Sequence, residues 1–269
     1  MRSNNKLTFE EIICLQWAGL SGEDVMHTTP KEFDGLYNDR EEAFDKFLDK
    51  AEQILDKQEA LGIQTVSWQD DLYPQGLSTI REDAPPLIHL LGNTNLLNDD
   101  KAVAIIGARA ADREGLDAAY RLGKRYAEQG QVIISGLALG CDAAAHEGCL
   151  SVSGKTIAIV ASGLDITHPK EHIGLQKRIL ESGGLLLSEQ LIGVKANPTR
   201  LIARNRLQAA LSHTVILAQC PEESGSMKTM SFAHKYKKKC YTVAFDQATD
   251  ANGGNRLLLD KGKAEPITL

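Results

Sequence analysis

No stretch of the 269 residues stays apolar long enough to cross a bilayer, and Met1–Lys6 is polar, unlike a secretory signal. The expectation is a cytoplasmic protein without a membrane partner. Cysteines are few: Cys14, Cys141, Cys149, Cys220 and Cys240, an odd number with no CxxC spacing. Disulfides and a zinc site are disfavoured, and reduced thiols are expected. There is no G-x-S-x-G elbow at Ser135, which argues against triad hydrolysis. Gly107 is not followed by a second glycine two residues on, so the dinucleotide fingerprint is missing and NAD is disfavoured. Asp142 and His146 stand four apart on one helix face, but no third ligand has a suitable spacing, so no metal is expected. Repeats and low-complexity tracts are also absent.

Charged residues make up an ordinary 25% of the chain but are unevenly divided. The net charge of −6 argues against a protein that coats nucleic acid over its whole surface. Residues 1–99 hold 8 Lys and Arg against 19 Asp and Glu, net −11, whereas residues 100–269 hold 22 against 17, net +5. The two parts differ in kind.

What is there is concentrated between Ala102 and Gly148. Ala102–Ile106 reads as a strand buried on both faces, closed by Gly107-Ala108-Arg109. Leu116, Ala119, Tyr120, Gly123 and Ala127 recur at helical spacing up to Gly130, and Val132–Ile134 is a second strand ending in Ser135-Gly136. This is a βαβ unit, and in a parallel sheet both turns lie at the strand carboxyl ends, where glycine lets backbone N–H groups approach a phosphate. Asp142 is expected to cap the next helix and Arg109 to supply countercharge. The same glycines also suit tight turns in a fold without a ligand.

On either side of that unit the pattern is regular. Leu7–Ala18 reads as a helix capped by Thr8, Gly22–His27 as a short one, and Asp39–Leu61 as a longer amphipathic one with an acidic face. A helical N-terminal domain over 1–62 is expected, followed by an α/β domain over 63–269. Gln64–Trp68 and the apolar Leu87–Leu91 come next. Strands at Thr156–Val160, Leu185–Leu187, Val215–Ala218 and Tyr241–Ala244 then alternate with helices at Glu171–Glu181, Leu201–Leu211 and Met227–Lys237. The fold class is α/β, Rossmann-like and doubly wound, with a mostly parallel sheet of six or seven core strands.

Arg109, Arg200, Arg204 and Arg206 are the leading ligand contacts, because guanidinium forks match phosphate oxygens and Arg-x-Arg at a helix start is expected to aim both side chains at one crevice. Ser224-Gly225-Ser226, between a strand and a helix, offers a second anion site; Lys228 either joins it or faces water. The run Lys235, Lys237, Lys238 and Lys239 complements a helix end and could extend a phosphate track.

Taken together, Gly107-x-Arg109, Ser135-Gly136-Leu137-Ala138-x-Gly140-x-Asp142-x-x-Ala145-His146, Gly163-x-Asp165 with Pro169, Arg204-Asn205-Arg206 and Ser224-Gly225-Ser226 resemble the DNA-processing protein A (DprA/Smf) family, over about Tyr73–Ala264. The resemblance implies a non-enzymatic protein whose pocket, lined by the residues just named, takes single-stranded DNA. It further implies a homodimer, no cofactor, and hand-over of the strand to a RecA-type recombinase in DNA processing, uptake or defence. The expectation is a compact member, lacking the winged helix that many members carry. It also departs from the family at Ala108, Leu139, His168 and Gln219, which removes an arginine and an aromatic and points to weaker or different binding. Two other readings stay open. One is a small-nucleotide pocket like that of the related phosphoribohydrolases, although Ser224–Thr229 holds no acid. The other is a regulatory paralogue restraining a protein partner such as a toxin.

Overall fold

In the computed structural model, residues 6–269 are described; Met1–Asn5, at the start of the segment read as lacking a signal, lie outside the described residues. The chain begins with four helices, α1 (Phe9–Trp17), α2 (Gly22–His27), α3 (Pro30–Asp39) and α4 (Glu41–Ala60). Thr8 caps α1 as its sequence suggested, accepting from the Glu11 amide while the Glu11 carboxylate accepts from the Thr8 amide. The same reciprocal box starts α2 at Ser21 and α3 at Thr29. α3 was not anticipated, and it shortens the expected long helix at its beginning.

After α4 come β1 (Gln64–Ser67), α5 (Gln75–Ser78), β2 (Leu87–Gly92) and β3 (Val103–Ile106). Then α6 (Arg113–Glu128), β4 (Ile133–Ser135), α7 (Cys141–Leu150), β5 (Thr156–Ile159), α8 (Ile173–Glu181), β6 (Leu185–Ser188) and α9 (Pro198–Leu211) alternate. The chain closes with β7 (Thr214–Leu217), α10 (Gly225–Lys235), β8 (Lys239–Val243), α11 (Gly253–Asp260) and β9 (Glu265–Ile267).

Nine strands form one sheet in the order β1-β2-β6-β5-β4-β3-β7-β8-β9. The seven from β6 to β9 are parallel, and β2 and β1 continue them antiparallel. Alternation along β3 shows why its run is apolar throughout. Ala104 and Ile106 join the cluster under α9, α10 and α11, while Val103 and Ile105 join the one under α6 and α7. β9 was missed because Glu265 and Pro266 are exposed at the sheet edge and leave no apolar signal.

α6 buries a face one position away from the apolar spacing. Gly115, Ala118, Ala119, Leu122 and Gly123 are inside, whereas Leu116 and Tyr120 are each 37% exposed. The reason is close helix approach: a Cβ on Gly123 would lie 2.2 Å from the Ala145 carbonyl oxygen, and one on Gly148 would lie 2.0 Å from that of Tyr120. Backbones this close select small residues over large ones.

The N-terminal helices share a cluster with Leu87, Trp68 and Leu191. The boundary expected at residue 62 falls in the turn between α4 and β1. Across it Gln58 donates to Thr65 and bonds His89 Nδ1 (3.1 Å), and its Oε1 accepts from the Ile192 amide.

Candidate nucleic-acid interface

Along the sheet the order reverses between β3 and β7, so the loops leaving their carboxyl ends diverge and open a crevice. It holds about 480 Å³. Three loops and one helix face build it.

The first loop is Gly107–Ala110. The Ala108 amide donates to the Gln219 carbonyl at 2.8 Å, and the Ala108 carbonyl accepts from the Cys141 amide. A Cβ on Gly107 would lie 2.4 Å from Cys141 Sγ, so this turn needs glycine for close approach. Arg109 stands exposed at the rim. Gln219, where an acid was expected by resemblance, is fully buried, and its amide brackets Asp112, the cap of α6, by accepting from the Asp112 amide and donating to its carboxylate.

The second loop is Ser135–Gly140. Leu137 sits in the left-handed region at φ 57°, a strained conformation for a branched side chain. Two groups hold it there. The Asp142 carboxylate accepts from the amides of Gly136 (3.1 Å) and Ala138 (3.4 Å), and His172 Nδ1 bonds the Leu137 carbonyl at 2.7 Å. Asp142 is thus not the cap of α7, whose N-cap is Gly140; it lies in the first turn and reaches back to brace the loop before it. Burial raises its pKa, opposed by Arg204 and by these hydrogen bonds.

The third loop is Pro221–Ser224, leading into α10. Ser224 caps that helix, its hydroxyl accepting from the Ser226 amide. Ser224, Gly225 and Ser226 all line the crevice, as do Asp142, Arg204 and Asn205.

α9 forms the opposite wall. Pro198, Leu201, Asn205 and Gln208, spaced three or four apart, share the face toward the crevice. Asn205 donates to the Gly225 carbonyl, tying this wall to the start of α10. Arg204 is 3% exposed and lies on the floor. Its Nη1 donates to the Ile159 carbonyl, and a Cβ on Gly136 would lie 2.0 Å from that nitrogen.

Several expected contacts lie elsewhere. Arg206 is outside the crevice, because residues two apart on a helix point nearly 200° from each other. It forks onto Glu189 (2.8 and 2.5 Å) and donates to the Asp83 carbonyl at 2.6 Å. Arg200 donates to the Lys195 carbonyl, closing its own loop. The Ser135 hydroxyl is buried against the Ile105 carbonyl. Gly163 packs under the loop after β6, where a Cβ would lie 2.4 Å from the Leu191 carbonyl oxygen. Gly136 and Gly140 are close-approach positions behind the lining. Lys228 faces a neighbouring cleft with His234, Lys261 and Lys263. Of the lysine run, Lys235 pairs with Glu82 and Asp83, and Lys238 donates to the Ala210 carbonyl.

His146 is fully buried, its Nδ1 bonded to Thr156, and burial lowers its pKa to about 3. Burial pushes the thiols of Cys141, Cys149 and Cys220 up to about 12. Among the described residues no group of three or more metal-ligating side chains comes together, and no helix is long and apolar enough to cross a membrane. Sequence reasoning missed Gln208, Thr229 and Ile202 as lining residues. Counting by three and four from Asn205 would have found two of them.

The family model for DNA recombination-mediator protein A matches residues 64–269, which contain every one of these elements. The chain belongs to that family. It is 36% identical over 193 residues to the DNA processing protein DprA of Streptococcus pneumoniae, covering 72% of this chain and 67% of that one. Protein Smf of Synechocystis is 31% identical over 194 residues, 71% of this chain and 48% of the relative. This chain therefore spans about half the length of that DprA/Smf relative. Among solved structures, the X-ray structure of the S. pneumoniae DprA superposes with a TM-score of 0.75 at 30% identity, covering 97% of this chain and 90% of that one. The DNA processing protein A of Helicobacter pylori, whose structure describes a single-stranded DNA binding mode, superposes at 0.68 with 32% identity, covering 77% of this chain and 91% of that one.

Proposed function

We propose that this DprA/Smf-family chain binds single-stranded DNA in the crevice between β3 and β7 and serves as a recombination mediator. One observation carries the reading: the exposed Arg109, the α10 start at Ser224-Gly225-Ser226 and Asn205 face a single open crevice at the switch point of the sheet. Guanidinium and helix-start N–H groups take phosphate oxygens, and an open slot admits a strand where an enclosed cavity would admit only a small molecule. The H. pylori relative, with its single-stranded DNA binding mode, supports the same ligand. The role needs no catalytic group, and the chain is read as a binding protein.

Dimerisation and hand-over to a RecA-type recombinase belong to this reading, as does a small helical N-terminal domain over 1–62. The test is a titration of the full chain with single-stranded DNA, duplex DNA and a mononucleotide at two salt concentrations. Preference for the single strand, with salt-dependent affinity, is the expected result. Mononucleotide binding without preference for the polymer would replace it with the small-nucleotide reading.

A further inference from the structure

Six large hydrophobic side chains stand exposed among the described residues, and four of them mark one region: Leu116 and Tyr120 on α6, Leu139 in the second crevice loop and Ile173 at the start of α8. Leu139 is 44% exposed and Ile173 59%. The region is continuous with the crevice. Leu139 follows Ala138, which lines it, and His172, bonded to the Leu137 carbonyl, sets the start of α8 beside the same loop. Leu116 and Tyr120 follow Arg113 by about one and two turns along one face of α6. α7 lies between α6 and α8 and touches both. Away from the crevice, Tyr120, Glu147, Leu150 and Arg178 line a cleft of about 360 Å³.

Charge on this face is mostly cancelled by neighbours. Asp117 pairs with Arg121 and Glu147 with Arg178, while Arg113, exposed at the crevice end, enters no ion pair among the described residues. Exposed apolar groups beside an unpaired guanidinium suit a ligand that is apolar on one side and anionic on the other. A crevice of about 480 Å³ has the capacity of a small-molecule site, about one or two nucleotides, so a strand held there has to continue outside it. We propose that single-stranded DNA leaves the crevice over Leu139 and runs across the α6–α8 face, with bases against Leu116, Ile173 and the Tyr120 ring and its backbone at Arg113. Arg178, beside Tyr120, offers its guanidinium plane to the last base of the track. This rests on the single-strand reading above and lengthens the contact by about 10 Å, the rise of α6 from Arg113 to Tyr120.

The experiment measures affinity of the full chain by fluorescence anisotropy for oligothymidylates of about four and about twelve nucleotides, in the wild type, Tyr120→Ala and Tyr120→Phe. Tyr120→Ala should weaken binding of the longer strand about tenfold, the size of one base–aromatic stack, and bind the shorter one as the wild type does. Its salt slope should match the wild type, because a stack neutralises no phosphate. Tyr120→Phe keeps the ring and should bind both strands normally. Wild-type affinity of Tyr120→Ala for the longer strand would overturn the proposal, leaving this face to a protein partner and the single-strand reading standing. Equal weakening of both strands would also overturn it, since Tyr120 would then act through the crevice. If Tyr120→Ala fails to fold, Leu139→Ser is read in the same way. Length-dependent loss in Lys261→Ala and Lys263→Ala instead would send the strand past the start of α10 and overturn it too. If neither oligonucleotide binds, both readings fall together.

Discussion

Arg109 and Arg206 carry the same charge into opposite roles. Arg109 is exposed at the crevice rim, so Arg109→Ala should leave thermal stability within about 0.5 kcal/mol of the wild type. It should lower affinity for single-stranded DNA and flatten the log–log salt slope by about 0.7, one phosphate contact; an unchanged slope would remove it from the interface. Arg206 is buried on Glu189 and the Asp83 carbonyl. Arg206→Ala leaves the Glu189 carboxylate unpaired and should cost about 3 kcal/mol in urea unfolding, with strand affinity retained wherever the protein is folded. The residue types at this site were legible in the sequence, but their directions were not. Arg204-Asn205-Arg206 reads as one basic motif, and only the helix turn sends Arg204 to the floor, Asn205 to the wall and Arg206 behind. Asp142 was likewise visible as an acid at a helix start, while its bonds to Gly136 and Ala138 depend on how the loop folds back.

At the scale of elements, the strands were the most readable part. A strand buried on both faces is apolar along most of its length; β3 is so throughout, and β5 and β7 are so after a leading threonine. α3 and β9 were unreadable for the opposite reason: one buries only Phe33 and the other runs exposed along an edge. Large residues marked the wrong face of α6 because its contact with α7 is made by glycines. That contact supplies a prediction. Gly148→Ala puts a methyl 2.0 Å from the Tyr120 carbonyl oxygen, which neither backbone can yield without the helices parting. The urea midpoint should fall by the equivalent of about 1–3 kcal/mol, and strand affinity should fall with it, since α7 carries Asp142. Gly174→Ala in the first turn of α8 meets nothing within 4 Å, so it should be neutral or stabilising by up to about 1 kcal/mol. Equal loss in both variants would show that helix spacing is not the cause.

Across the whole molecule, the charge division read from the sequence has a structural counterpart. The acidic residues Glu82 and Asp83, in the segment between β1 and β2, meet Lys235 and Tyr236 at the end of α10, and the same segment meets Arg206 of α9, so both walls of the crevice are fastened to the connection between the first two strands. Stability of the assembled chain should also depend on pH in a defined direction. His89, bonded to Gln58 and Thr65, has its pKa lowered by burial to about 4, and His146, with Arg204 and His172 nearby, to about 3. As pH falls through the ordinary histidine value, the unfolded chain takes up two protons that the native chain refuses. Stability from these groups is therefore complete above about pH 7 and declines between about pH 6.5 and pH 4, by roughly 3 kcal/mol for each histidine at the lower limit. Asp83 and Asp112, held below their ordinary pKa, act in the same sense at lower pH, and Asp142, held above it, acts against them. Urea unfolding at pH 7.5 and pH 4.5 should show the loss, and His146→Gln, which cannot take the proton, should show about half of it. Equal midpoints at the two pH values would mean that both imidazoles accept protons in the folded chain.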